Sequence, residues 1–322
     1  MRIARLLDRP IVFPDLHSSI GRNIQGPSMI RVPEWAAGRL GDYYLYFADH
    51  KGRYIRLAYA DRPTGPWKIH PPGSLWLEQS GFLVEPPAVT PEQLARFETR
   101  WRERGVALPH DLLAEITTPH IASPDVHVDP ERRQIIMYFH GLDAVGTQLS
   151  RVAASSNGID FTARPHVLGP SYMRAFAHDG WIYALTMPGR FHRAADWFGD
   201  FAPGPMLFNP RMRHAAVLKR GAELAVFWTQ VGDAPERILL SRIDLSGDWS
   251  VWKEGAAVEV LRPERDWEGA DAPLVASLRS TAYGHVNQLR DPAVFEESGR
   301  IYLLYAVAGE SGIAIAEIFI DD

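Results

Sequence analysis

Cysteine is absent from this 322-residue chain, which excludes disulfide staples and thiolate metal centres. No apolar run approaches the roughly 18 residues that a bilayer-spanning helix needs. There is no lysine and arginine cluster, and the formal net charge is −5; both argue against nucleic acid as a main partner. The opening MRIARLLDRPIVF carries arginines, but Asp8 and Pro10 interrupt the apolar core of a signal peptide and no small-residue cleavage site follows. That segment is expected to be a structural strand in a cytoplasmic protein. What the chain does contain is material for short strands and turns: 25 Pro, 26 Gly and a hydrophobic share of 46% that includes ten Trp, eleven Tyr and fourteen Phe.

These residues are ordered in a repeat. Leu289 to Glu317 reads as an acid–Pro turn, a short strand, a polar turn, an aromatic strand and a third alternating strand. The same order recurs from Pro27 to about Ile69, from Ser123 to Phe161, from Gly169 to Phe191 and from His214 to Trp252. Alternation within Ile301–Tyr305 and Ile313–Ile318 is the period-2 signal of strands with one face buried. Repetition at blade-like length predicts an all-β fold: a five-bladed β-propeller forming one domain over residues 1–322. The fifth unit stops after three strands, so Ile3–Phe13 is expected to complete it and close the ring, removing an exposed sheet edge. Two insertions, about 70–119 and 254–285, break the spacing. The first should contain one short helix, Pro91–Gly105, with Pro at its start and Gly at its end. Both are expected to form rims of a pocket.

A propeller gathers the starts of its innermost strands and its second-to-third-strand loops around one axial funnel. Innermost-strand starts supply His120, Asp125, Tyr172, Arg174, Arg213, His214, Gln288, Arg290 and Asp291; the loops supply Asp49, His50, His140, His192 and Glu310. Asp291 is the strongest candidate, because Pro292 restricts the residue before it. Glu310 lies among small residues where a ligand could approach. Each also has a structural reading, as a turn cap, an exposed turn residue or a hydrogen-bonded core histidine. No tight metal-ligand spacing is present.

GPSMIRV with GDYYLYFAD, SPDVHVD with IIMYF, GPSYMRAF with GWIYAL, RHAAVL with LAVFW, and RDPAVF with RIYLLYA together resemble the five-bladed propeller glycosidases of glycoside hydrolase families 43 and 117. The resemblance covers nearly the whole chain outside the insertions. It implies hydrolysis of a carbohydrate or glycoside by general acid–base catalysis, with no required cofactor and a central divalent cation such as calcium near a fourth-blade histidine, which His214 matches. The family's catalytic trio is not carried over: Gly26 stands at the general base, Ser123 at the second acid, and no Glu lies near Gly169–Phe176. The remaining candidates are Asp291 as base or transition-state stabiliser, paired with Glu310 or Asp49, and Glu310 or His214 as proton donor. Arg213, Arg174, His120, His50, Tyr172, Arg290, Gln288 and Asp125 would bind substrate, the arginines suggesting an acidic or highly hydroxylated small molecule or oligosaccharide. Two alternatives stand beside this: a sugar-binding propeller without catalysis, and a histidine-rich lyase or metal-dependent enzyme, in which three of His120, His140, His192, His214 and His285 would converge.

Overall fold

In the computed structural model, which describes residues 1–103 and 107–320, five antiparallel sheets follow one another around an axis. Blade 1 consists of Gln25–Arg31, Tyr43–Ala48, Tyr54–Ala60 and Lys68–Trp76, in that order from the axis outward. Blade 2 is Ile121–Asp129, Gln134–Ala144 and Thr147–Ser155, with Thr162–Ala163 and Gly169–Pro170 both pairing with its third strand. Gly169, expected to open the third unit, thus belongs to the outer edge of the second. Blade 3 is Arg174–His178, Trp181–Thr186, Arg190–Ala194 and Ala202–Met206. Blade 4 is Met212–Arg220, Glu223–Gln230, Ile238–Asp244 and Val258–Leu261.

Blade 5 has Arg290–Glu297, Arg300–Ala306 and Ile313–Phe319, and takes its fourth strand, Arg2–Arg5, from the N-terminus. The register Ile3 to Ile318 closes the ring as expected, with Val12 bridging to Ile313. A polar staple reinforces this closure. The Arg5 guanidinium donates to both oxygens of Glu268, at 2.7 and 2.8 Å, and to the Arg262 carbonyl. Glu268 is fully buried and also accepts from the Tyr305 hydroxyl.

Middle strands lie under neighbouring blades on both faces, so their sequences are continuous apolar runs rather than alternations. All six residues of Tyr43–Ala48 are buried, as are Ile301–Ala306 and Ile313–Ile318, so the last two strands are buried on both faces and not on the one face expected from alternation. Between blades 1 and 2, Tyr44, Tyr46, Leu57, Ile121, Met137 and Phe139 form one apolar cluster, and corresponding clusters fill the other interfaces. Tyr46 keeps its hydroxyl satisfied there by donating to the Gly158 carbonyl at 2.7 Å.

The first insertion contains α1 (Pro91–Glu103), as expected from Pro91, although Gly105, its expected terminator, lies outside the described residues. It also contains a second short helix, α2 (Leu112–Thr117), capped by Asp111 accepting from the Ala114 amide. Thus two helices occur where one was expected. The second insertion supplies the outer strand of blade 4 and a short 3-10 turn around Trp267.

Candidate functional site

At the axis every blade repeats one backbone device. Gly26, Ser123, Tyr172, His214 and Asp291 all have positive φ, between +26° and +71°. In blades 1, 2, 4 and 5 the pairing register slips at this point, the mark of a bulge. Left-handed backbone costs a non-glycine residue of order 1–3 kcal/mol, and such strain concentrates where side chains must be re-aimed. The five positions meet around the ring. A Cβ on Gly26 would lie 3.0 Å from the Ser123 Cα; the Tyr172 ring stacks on His214 at 5.1 Å; and the Asp291 amide donates to His214 Nδ1 at 3.4 Å.

Above this ring lies a cavity of about 310 Å³. Its floor and walls include Gln25, His50, Ser123, His140, Tyr172, Arg213 and His214 from the blades. Trp101 of α1, Glu115 of α2, and Arg279 and Ser280 of the second insertion complete it, so both insertions form rims as expected. Five of the residues singled out in the sequence, His50, His140, Tyr172, Arg213 and His214, reach this cavity.

Asp291 lies immediately behind His214 and is 1% exposed. Neither carboxyl oxygen has a hydrogen-bond partner among the described residues, and His214 Nε2 stands 3.7 Å from Oδ1. Burial, reinforced by the charge of Glu310, pushes the Asp291 carboxyl well above its ordinary range. Burial and the nearby Arg213 and Arg290 guanidiniums push His214 well below an ordinary imidazole. Burial at this site thus favours the protonated carboxyl and the neutral imidazole. His140, on the cavity wall, is likewise held neutral, its pKa lowered to about 3 by burial and by His50.

Glu310 is surrounded differently. Burial alone would raise its pKa, but His50 Nδ1 at 3.0 Å, Arg290 at 2.6 Å and the Asn23 amide at 2.7 Å hold it below the ordinary range. This fixes an ionised carboxylate, the reverse of the proton donor expected from sequence. Asp49 also departs from expectation. Its Oδ1 accepts from the Lys51 amide and its Oδ2 lies 3.5 Å from Arg56, so it shapes the loop rather than lining the cavity.

The arginines are committed elsewhere. Arg213 makes a two-point ion pair with Glu236 at 2.9 and 2.5 Å, and Arg290 bonds Glu310 and Gln288 while standing 3.6 Å from Glu236. Two guanidiniums thus face two buried carboxylates. Glu236, fully buried, was missed; its position in PERILL, just before an apolar strand, is the acid-then-strand pattern that marked Asp291. Arg174 donates to the carbonyls of Ala215, Ser123 and Met173, bridging blades 2, 3 and 4 across the axis. Arg174 and Asp125 line a separate cavity of about 270 Å³, which shares no lining residue with the upper one. His120 is fully buried, its Nδ1 within 2.7 Å of the Thr118 carbonyl. These three residues do not reach the upper cavity.

Among the described residues the expected central cation has no ready set of three ligands. No group of three or more His, Asp or Glu side chains is arranged to hold a metal among the described residues. His214 has the Arg213, Arg290 and Arg174 charges around it instead. The convergence of three histidines required by the metal-enzyme alternative is therefore missing from these residues. No described helix is long and apolar enough to cross a membrane.

The sheet order and axial cavity define the class: the fold is that of the five-bladed family 43 glycoside hydrolases. An exo-β-1,3-galactanase from Phanerochaete chrysosporium superposes with a TM-score of 0.55 at 12% identity, covering 91% of this chain and 59% of that one. The chain thus spans about three fifths of that galactanase. A family 43 β-xylosidase/α-arabinofuranosidase from a compost microbial metagenome, solved with xylotriose, gives 0.58 at 11% identity, covering 98% and 95%. A thermostable family 43 glycoside hydrolase gives 0.55 at 12%, covering 93% and 91%. At these identities the likeness establishes the fold alone. No protein-family model matches the chain. In sequence the chain is 34% identical to the uncharacterized protein R118 of Acanthamoeba polyphaga mimivirus, over 92% of this chain and 83% of that protein, and it belongs to the family of that protein.

Proposed function

We propose that the axial cavity binds a carbohydrate and that the chain is a glycoside hydrolase-like enzyme whose proton donor is the His214–Asp291 pair. The observation that carries this reading is the Asp291 carboxyl, without a hydrogen-bond partner among the described residues, set behind an imidazole on the cavity floor. Cleaving a glycosidic bond requires a proton on the leaving oxygen, and a carboxyl held above its ordinary range can supply it near neutral pH. The 3.7 Å gap exceeds hydrogen-bond length, as is common before a substrate tightens such contacts.

Two features support a route different from that of the fold's other enzymes. The position matching their general base is Gly26, and any side chain there would press on the Ser123 backbone at 3.0 Å. With Arg213 and Arg290 neutralised by Glu236 and Glu310, the cavity suits an uncharged, hydroxylated ligand better than an acidic one. The sugars named for the structural relatives, galactose oligomers and xylotriose, have that character.

Turnover of a panel of alkyl glycosides, whose leaving groups need a proton, tests this. Asp291→Asn, which keeps the shape but carries no acidic proton, is expected to lower kcat by about 10²–10⁴-fold. Unchanged turnover would remove Asp291 from the mechanism. One observation favours a second reading, sugar binding without catalysis: Glu115 is the only carboxylate lining the cavity among the described residues. Calorimetric sugar binding with no turnover by the unaltered chain would select it.

A further inference from the structure

Hydrolysis needs a second group, one that takes a proton from the attacking water, and no blade residue lining the cavity is a carboxylate. We propose that Glu115 of α2, contributed by the first insertion, is this general base; the proposal rests on the hydrolase reading above. The side chain is 13% exposed and opens on the cavity. Its Oε1 lies 3.2 Å from Lys51 Nζ, and its Oε2 accepts from the Ser280 hydroxyl at 3.0 Å. Lys51 belongs to the blade 1 loop and Ser280 to the second insertion, so three separate segments fix one carboxylate.

The backbone beneath it is equally constrained. Ile116 and Thr117, next in α2, are buried. The Gly146 amide donates to the Ile116 carbonyl at 2.8 Å, and Asp111 caps the helix start. Each carboxylate oxygen has two lone-pair directions, so the bonds to Lys51 and Ser280 leave one on each oxygen for a water. A carboxylate already bonded at both oxygens suits proton abstraction better than direct attack on carbon.

The step balances with one water. Its oxygen bonds to the anomeric carbon as the bond to the leaving oxygen breaks, the electron pair staying with that oxygen. Glu115 takes the proton released by the water, and the His214–Asp291 pair gives one to the leaving oxygen. Exchange with solvent then resets both groups.

The experiment compares Glu115→Gln, Glu115→Ala and Asp291→Asn on dinitrophenyl and alkyl glycosides of one sugar. Loss of a base should lower kcat by about 100-fold or more on both substrates, with KM nearly unchanged. Loss of the acid should spare the dinitrophenyl substrate, whose leaving group needs no proton. In Glu115→Ala, sodium azide should restore turnover and yield a glycosyl azide, an outcome that a strut tying three segments together would not produce. Thermal melts of each variant separate unfolding from lost chemistry, and Glu115→Gln, equal in shape, serves if Glu115→Ala does not fold. Full turnover by folded Glu115→Gln overturns the proposal while leaving the hydrolase reading intact. No turnover of any glycoside by the unaltered chain overturns the reading and the base together.

Discussion

Asp291 and Glu310 are both about 1% exposed carboxyls, yet their surroundings drive them in opposite directions. Glu310 has a guanidinium, an imidazole and an amide within 3.0 Å, whereas Asp291 has none of these and feels the Glu310 charge. The histidines follow the same rule. His120, His140 and His214 are lowered by burial, and His192 is lowered to about 4. In the unfolded chain each would take up a proton near pH 6.5. Their stabilising contribution is therefore present above that pH and is lost as pH falls towards the folded values. Asp291 works the other way, since its raised folded value makes its contribution largest in acid and smaller as pH rises. Four histidines outweigh one carboxyl between pH 6.5 and 4, and each group changes the slope by about 1.4 kcal/mol per pH unit. The urea midpoint should thus fall between pH 7 and pH 5; a midpoint that rose over that range would contradict these assignments.

At the scale of the strand, the five left-handed positions turn a repeat in sequence into a ring of converging side chains. Gly26 is where that ring is tightest. Gly26→Ala should cost about 1–3 kcal/mol, from left-handed backbone and from crowding the Ser123 Cα, read as a lower thermal midpoint. Part of this device was legible beforehand: Gly26, Ser123 and Asp291 each precede a proline, and the strands that follow are strongly patterned. The direction each side chain takes was not legible, because it depends on bulges that no periodicity encodes. Nor was the use of each charge. Arg213 and Arg290 looked free to hold a ligand because their partners, Glu236 and Glu310, lie 23 and 20 residues away in sequence. Trp101 and Glu115 were missed for a related reason: six-residue α2 is too short to show a helical period, and nothing local marks which face of the insertion meets the axis.

Across the whole molecule, closure depends on four residues from the far end of the chain and on the pairing of Arg5 with Glu268. Arg5→Met would leave a fully buried carboxylate without its cation, which typically costs about 3–5 kcal/mol and should appear as a large drop in the denaturation midpoint. The five-sheet ring was readable from sequence because hydrophobic pattern, turn residues and unit length all agreed. Its chemistry was less readable because it is assembled from loops and insertions lying outside the repeat. One consequence follows from Arg174, whose guanidinium ties three blades together between the upper and lower cavities. The two chambers on either side of it share no lining residue. Loss of that one guanidinium would unfasten three blades at once, so a single substitution there would disturb both chambers together.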